Sequence, residues 1–183
     1  MSKRHEEINF ELAAWIARQH IFFVATAPLT PNGHINTSPK GGDSFRILGP
    51  LSVAYQDYTG SGAETAAHLQ ENGRIVVMFC AFEGPPKIVR LHGRGEVIPA
   101  EHPRYAEMAA LFPPHAGTRC FISISVERVS DSCGYAVPHY DYCGPRDMLD
   151  KWTNSKSAEE LRAYRHKHGQ QSLDGLPAFK RNA

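Results

Sequence analysis

Ile21-Phe22-Phe23-Val24-Ala25-Thr26, then the turn Pro31-Asn32-Gly33, then Asn36-Thr37-Ser38-Pro39-Lys40-Gly41-Gly42: this stretch decides how the chain is read. Its first six residues are mostly β-branched or aromatic, which suits a buried strand. Pro-Asn-Gly is a strong turn signal, and His34 to Thr37 resumes as a second strand. The two strands make a hairpin that ends in a polar, glycine-rich motif. Pro39 fixes φ and holds that motif extended, so Ser38 and Lys40 lie on one side of the strand end. A hydroxyl and an ammonium on one side suit a phosphate, and Gly41-Gly42 lets backbone N–H groups form an anion-binding concavity. An ordinary solvated loop with a surface lysine is the alternative.

Working outward, Ile8, Leu12, Trp15 and Ile16 fall on one helical stripe, giving an amphipathic helix from about His5 to Gln19. Downstream, Phe45 to Leu48 and Leu51 to Gln56 read as short strands broken by Gly49-Pro50. A second polar loop follows, Asp57-Tyr58-Thr59-Gly60-Ser61-Gly62, and then a run of good helix formers from Ala63 to Glu71. Ser61 and Glu64 have the spacing of a capping box, which predicts a helix starting at Ser61. Such a helix start attracts anions, whereas a Glu64 carboxylate folded back on the cap would repel them.

Arg74 to Phe82 is nearly all apolar, and Lys87 to Ile98 is a long strand whose Gly93 and Gly95 point to a bulge, a barrel bend or close packing against another backbone. On that strand Lys87 and Arg90 fall on opposite faces, and His92 shares the face of Arg90. Pro99 to Phe112 reads as a helix with Tyr105, Met108 and Phe112 on one stripe, and Phe121 to Val126 alternates as a strand. Asp131 to Pro145 is irregular, Ala158 to His168 is a charged helix, and Asp174-Gly175 marks a turn in the tail from Gln171 to Ala183. Six or seven strands in hairpin-like succession predict a mainly β, α+β fold, an antiparallel barrel with helices around it.

Composition narrows the function classes. At 183 residues the chain suits one domain, with a barrel core over about 20–130 and an extension over about 131–183. Twenty Lys and Arg against 19 acidic residues leave no single-sign field to draw nucleic acid. No apolar run approaches the ~18 residues that span a bilayer, and Met1 to Glu7 is charged, so a cytoplasmic protein is expected. Cys80 and Cys120 sit in apolar runs as small hydrophobes. Cys133, His139 and Cys143 match no standard zinc spacing, so no metal is expected. Hydrolase, kinase and Rossmann motifs are absent from the sequence.

The ordered series of Phe22 to Thr26, Asn36 to Gly41, Tyr58 to Leu69, Asn72 to Phe79 and Ile88 to Gly95 resembles the pyridoxamine 5′-phosphate oxidase-related flavoproteins. The resemblance covers roughly Ile21 to Val129, and more weakly Ser132 to Pro138 and Ser172 to Pro177. It implies an FMN-binding split β-barrel and a homodimer with the cofactor at the subunit interface. It also implies that Ser38, Lys40, Gly41, Ser61, Thr65 and Arg90 hold phosphate or ribityl oxygens, with Tyr58, Thr59 and Gly60 bordering the flavin ring. Cys133 to Pro138 would approach the flavin from the partner subunit. The tail Leu176 to Arg181 departs from the basic segment with which the oxidase holds pyridoxal phosphate, and Gly62-Ala63-Glu64 replaces its basic loop.

The resulting expectation is an FMN-dependent oxidoreductase of unassigned substrate, with no partner beyond its own second copy and a small molecule. Its catalytic acid and base are unassigned, with His92, His139 and Tyr140 as candidates by position. The alternative is a non-catalytic module on the same barrel, binding flavin, deazaflavin or haem.

Overall fold

The computed structural model describes residues 3–179. Strand β2 (Ile21–Thr26) buries Phe22, Val24 and Thr26 in strict alternation, as its composition predicts. It pairs antiparallel with β3 (Asn36–Gly41) on one side and β6 (Arg74–Cys80) on the other. The sequence places the second strand at His34 to Thr37, but β3 instead runs on through Pro39, which an edge strand tolerates. The Asn36 to Gly41 motif is therefore strand, with Val24 opposite Ser38 and Phe22 opposite Lys40. Ser38 and Lys40 share the inner face, as alternation requires.

The remaining strands are β1 (Lys3–His5), β4 (Phe45–Gly49), β5 (Ser52–Tyr58), β7 (Ile88–Pro99) and β8 (Thr118–Ser132). The hydrogen-bonded order is β3-β2-β6-β7-β8-β5-β4, all antiparallel. Strand β8 is the spine: β7 lies along one side, and β5 and then β1 along the other. Gly93 sits at a register shift, where any Cβ would strike the Ser125 backbone, and Gly95 makes room for Leu69. These are the bulge and close packing that the two glycines predict.

The edges β3 and β4 do not pair with each other, so the curled sheet is a split barrel. Aromatic side chains fill the split. Phe22 of β2 lies 5.1 Å from Phe45 of β4 and 5.7 Å from Tyr55 of β5, while Phe45 meets Phe79 of β6 at 5.1 Å between ring centroids. Around them Val24, Val53, Val77, Leu91, Ile124 and Val129 are fully buried.

Helices cover the barrel ends and one outer flank. Helix α1 (Phe10–Ala17) starts later than the predicted His5, because Asn9 caps it and Lys3–His5 is a strand on β8. Helix α2 (Glu64–Asn72) packs on β2, β6 and β7 and ends at Gly73, which adopts φ 71°. The Pro99 to Phe112 segment is helical only as α3 (Tyr105–Ala109), yet Met108 and Phe112 form the predicted stripe and pack with Ala54, Ile98 and Phe121. Helix α4 (Met148–Asn154) is absent from the sequence prediction, while α5 (Ala158–His168) has the predicted bounds. The Asp174-Gly175 turn forms as expected, and Lys180 to Ala183 lie outside the described residues. Among the described residues no helix is long and apolar enough to cross a membrane.

Because Phe79 packs across the split, Phe79→Ala should cost about 3–5 kcal/mol of stability. The urea midpoint checks this. A loss below ~1 kcal/mol would mean that the split is not held by this cluster.

Candidate functional site

Lys40, at the end of β3, turns inward and meets Asp57 of β5, Nζ to Oδ1 at 2.7 Å. Arg119, at the start of β8, donates to the other carboxylate oxygen through Nε at 3.0 Å and Nη2 at 2.6 Å. Asp57 is 3% exposed and Arg119 8%. Burial opposes ionisation of Asp57, but the charges and hydrogen bonds of Lys40 and Arg119 outweigh it and hold its carboxyl below the ordinary value of 3.8. The same carboxylate more than offsets burial for Arg119, whose guanidinium is held above its usual range. Burial, and then the neighbouring carboxylate, push the Tyr55 hydroxyl and the Cys120 thiol well up, so both stay protonated.

The loop after β5 lies against this cluster. Arg119 Nη1 donates to the Gly62 carbonyl at 2.7 Å. The Thr59 N–H and hydroxyl both donate to the Gly117 carbonyl, at 2.7 and 2.9 Å, and the hydroxyl oxygen accepts from Arg165 Nε of α5 at 2.7 Å. Tyr58 leaves the strand end with its ring 4.6 Å from that of His115.

The capping box predicted at Ser61 does not form. Helix α2 starts at Glu64 after Ala63, which offers no side-chain cap, and Glu64 instead accepts from the Leu173 N–H at 2.9 Å. Its carboxylate pins the C-terminal tail rather than folding back on the helix start. The first-turn N–H groups are thus left without a side-chain acceptor, the condition under which a helix start attracts an anion. A capping box does form at Ser157 and Glu160 of α5.

Between the two loops runs a half-buried polar chain. Ser38 donates to Asn36 Oδ1 at 3.1 Å, and Asn36 Nδ2 donates to Thr65 at 3.0 Å and to Thr26 at 3.4 Å. The Thr26 hydroxyl in turn bonds Nδ1 of the fully buried His68 at 2.9 Å. These bonds join β3 to α2.

The structure places Ser38, Lys40 and Gly41 on β3, Tyr58 at the end of β5, Thr59, Gly60 and Ser61 in the loop that follows, and Thr65 in α2, with hydrogen bonds tying β3 to Thr65 through Asn36 and to β5 through Lys40 and Asp57. It places Arg90 elsewhere. Met78 opposes both Arg90 and Phe23, so Arg90 lies on the outer face while Lys40 lies on the inner. There Arg90 donates to Ser132 at 3.0 Å. His92 shares that face with an unpartnered, buried Nδ1, and burial followed by Arg128 and Arg90 holds its pKa down. Asp57, Arg119 and Arg165 escaped the sequence reading. Asp57 sits in plain view beside Tyr58, but its burial is invisible locally, and the two arginines arrive from 62 and 106 residues away.

Beside Lys40 and Tyr58 opens a cleft of about 1410 Å³, also lined by His20, His115, Tyr140 and Tyr142. Its far wall is the 138–147 segment, where Tyr142 stacks on His20 at 3.6 Å between centroids and Tyr140 lies against Phe82. Among the described residues no group of three or more His, Cys, Asp or Glu is placed to hold a metal ion.

The curled antiparallel sheet is a split barrel, and comparison with known proteins places it in a family. Residues 8–133 match the pyridoxamine 5′-phosphate oxidase family, and the chain belongs to that family. It is 42% identical, over 96% of its length and 77% of the other's, to the pyridoxamine 5′-phosphate oxidase family protein ustO of Aspergillus flavus. Among solved structures it resembles HupZ of Group A Streptococcus, at 25% identity and TM-score 0.52, covering 67% of this chain and 91% of that one. It also shares its fold with a Clostridium acetobutylicum protein related to general stress protein 26 of B. subtilis, of the pyridoxinephosphate oxidase family. That match has 16% identity, a TM-score of 0.51, and covers 67% and 86% of the two chains.

Asp57→Asn should destabilise the protein by about 3–5 kcal/mol at neutral pH, since two cations lose a buried counter-charge. The depressed pKa of Asp57 makes its contribution fully present above the ordinary carboxylate value and lost as pH falls through the folded value. Urea midpoints at pH 7 and pH 3 should therefore converge for mutant and wild type on the acid side. A constant gap between them would separate Asp57 from the acid limb.

Proposed function

We propose that the chain binds FMN and acts as a flavin-dependent oxidoreductase. One observation carries the reading: Arg119 and Arg165 hold the two ends of the Thr59–Gly62 segment and Lys40 shares Asp57 with Arg119, three cations against one buried carboxylate, Asp57, and one half-buried, Glu64. An excess of positive charge beside an uncapped helix start fits a phosphate monoester. The adjoining cleft, with Tyr58, His115 and Tyr142 on its walls, has room and aromatic surface for a flat ring system. Family membership supports the same choice of ligand.

The bound flavin would supply the hydride chemistry, and the protein binding and orientation. In this reading Lys40 takes the phosphate with the N–H groups that Asp57 leaves free, since an ammonium has three donors. Ser38, Gly41, Ser61 and Thr65 supply neighbouring polar contacts, and Tyr58, Thr59 and Gly60 edge the ring. Arg90 faces away from this site within one chain, so its part in cofactor binding needs a second copy to present it. We therefore propose a homodimer with the cofactor at the subunit interface, to which the 133–138 segment of the partner also comes close.

Purified protein should be yellow and release FMN on denaturation, and Lys40→Ala should weaken FMN binding by about 1.5–3 kcal/mol, the value of a charge-assisted hydrogen bond. Colourless protein that takes up no added FMN would refute the reading. An unchanged dissociation constant for Lys40→Ala would return Lys40 to a purely structural role with Asp57.

A further inference from the structure

The family match ends at residue 133, yet α5 and the tail reach back to both sides of the ligand loop. Helix α5 is firmly built for a terminal extension. Its capping box is complete, Leu161 is buried, and Tyr164 packs edge-on against Trp152 of α4 at 5.0 Å. From it Arg165 crosses to Thr59 and also donates through Nη2 to the Ala116 carbonyl at 3.2 Å. The tail beyond makes three more attachments. Leu173 donates its N–H to Glu64, Asp174 accepts from the His34 backbone at 2.8 Å and bonds its ring Nδ1 at 2.6 Å, and Phe179 lies 5.9 Å under Arg119. The extension thus grips the turn before β3, the start of α2 and the loop between them.

Thr59 is where this grip becomes specific. It is 5% exposed, its N–H and hydroxyl proton are both spent on the Gly117 carbonyl, and its hydroxyl oxygen accepts from Arg165. Thr59 therefore has no proton to offer a ligand, and its contacts serve to fix the backbone from which Gly60, Ser61 and Gly62 depart. Burial, with Arg119 and Arg162, holds the Arg165 pKa below its usual range, partly offset by Tyr105 and Cys120. A guanidinium bonded to a hydroxyl and a carbonyl, with no carboxylate of its own among the described residues, favours an anion arriving nearby.

We propose that Arg165 is a positioning residue of the ligand site: from α5 it sets the Thr59–Gly62 loop and adds the positive charge that a phosphate ester bound there requires. The identity of the ligand as FMN rests on the function proposed above; the requirement for a phosphate-type anion does not.

The test compares full-length wild type, Arg165→Ala, Arg165→Gln and Arg165→Lys, titrated with FMN and with riboflavin, which lacks the phosphate, by flavin fluorescence. Arg165→Ala and Arg165→Gln should lose roughly tenfold or more in FMN affinity while riboflavin changes far less, so the FMN preference collapses. Arg165→Lys should recover part of it. An unchanged preference in Arg165→Gln would overturn the proposal, and that variant decides alone if Arg165→Ala does not fold. An equal loss for both flavins, with a lowered Tm, would reduce Arg165 to scaffold and also overturn it. If wild type binds neither flavin, the FMN reading fails and inorganic phosphate becomes the probe. A phosphate-dependent rise in Tm that Arg165→Gln loses then supports the site. No rise in wild type, or an equal rise in both, removes it.

Discussion

The structure depends on a carboxylate that is almost wholly buried. Asp57 lies inside the barrel, and left alone there its charge would cost several kcal/mol. It is tolerable because Lys40 and Arg119 come to it from different parts of the sheet. In the strand order Lys40 is on β3, at one end of the path, and Asp57 on β5, next to the other end. Their ion pair therefore bridges the two flanks that the sheet itself never joins. The aromatic cluster of Phe22, Phe45, Tyr55 and Phe79 closes the same gap by packing. One seam is held by apolar contact and, at its Lys40 end, by charge.

That division explains what the other parts of the site do. Arg119 holds Asp57 and the Gly62 carbonyl at once, so the loop is tied to the same buried charge as the seam. The polar chain from Ser38 through Asn36 to Thr65 and Thr26 ties β3 to the start of α2. Glu64, which in the sequence stood as an obstacle to an anion at this helix start, is turned outward to the tail instead. An obstacle to phosphate becomes the anchor of the segment that carries Arg165.

How much of this was legible in the sequence follows from the range of each interaction. Alternation alone placed Ser38 and Lys40 on one side of their strand, because a strand's period of two is a local property, whereas pairing with Phe22 and Val24 makes that side the inner face. Gly93 and Gly95 announced close packing for the same reason. The Ser61 box failed because its spacing is necessary but not sufficient. Glu64 had a competing donor, the Leu173 N–H, 109 residues on, which no local rule sees. The short α1 and the missed α4 are likewise choices made by tertiary contact, β1 docking on β8 in one case and Tyr164 packing on Trp152 in the other. Arg90 lies on the strand to which the sequence assigned it, but which face of that strand is outer is fixed by pairing with Met78, a long-range contact.

The Lys40 that first drew notice as a free phosphate ligand is thus already paired, and this bears on how the site is built rather than against it. A lysine with a flexible stem is a poor ligand when nothing fixes it, because binding must first restrict its rotamers. Asp57 does that in advance, holding Nζ at the inner mouth of the loop, where the side chain keeps 22% of its exposure. One N–H points at Asp57 and two remain. Any anion bound there would share Lys40 with Asp57 across the split. Ligand and barrel closure would then reinforce each other through the same ammonium, which makes the seam, and not the loop alone, the element that a bound phosphate stabilises.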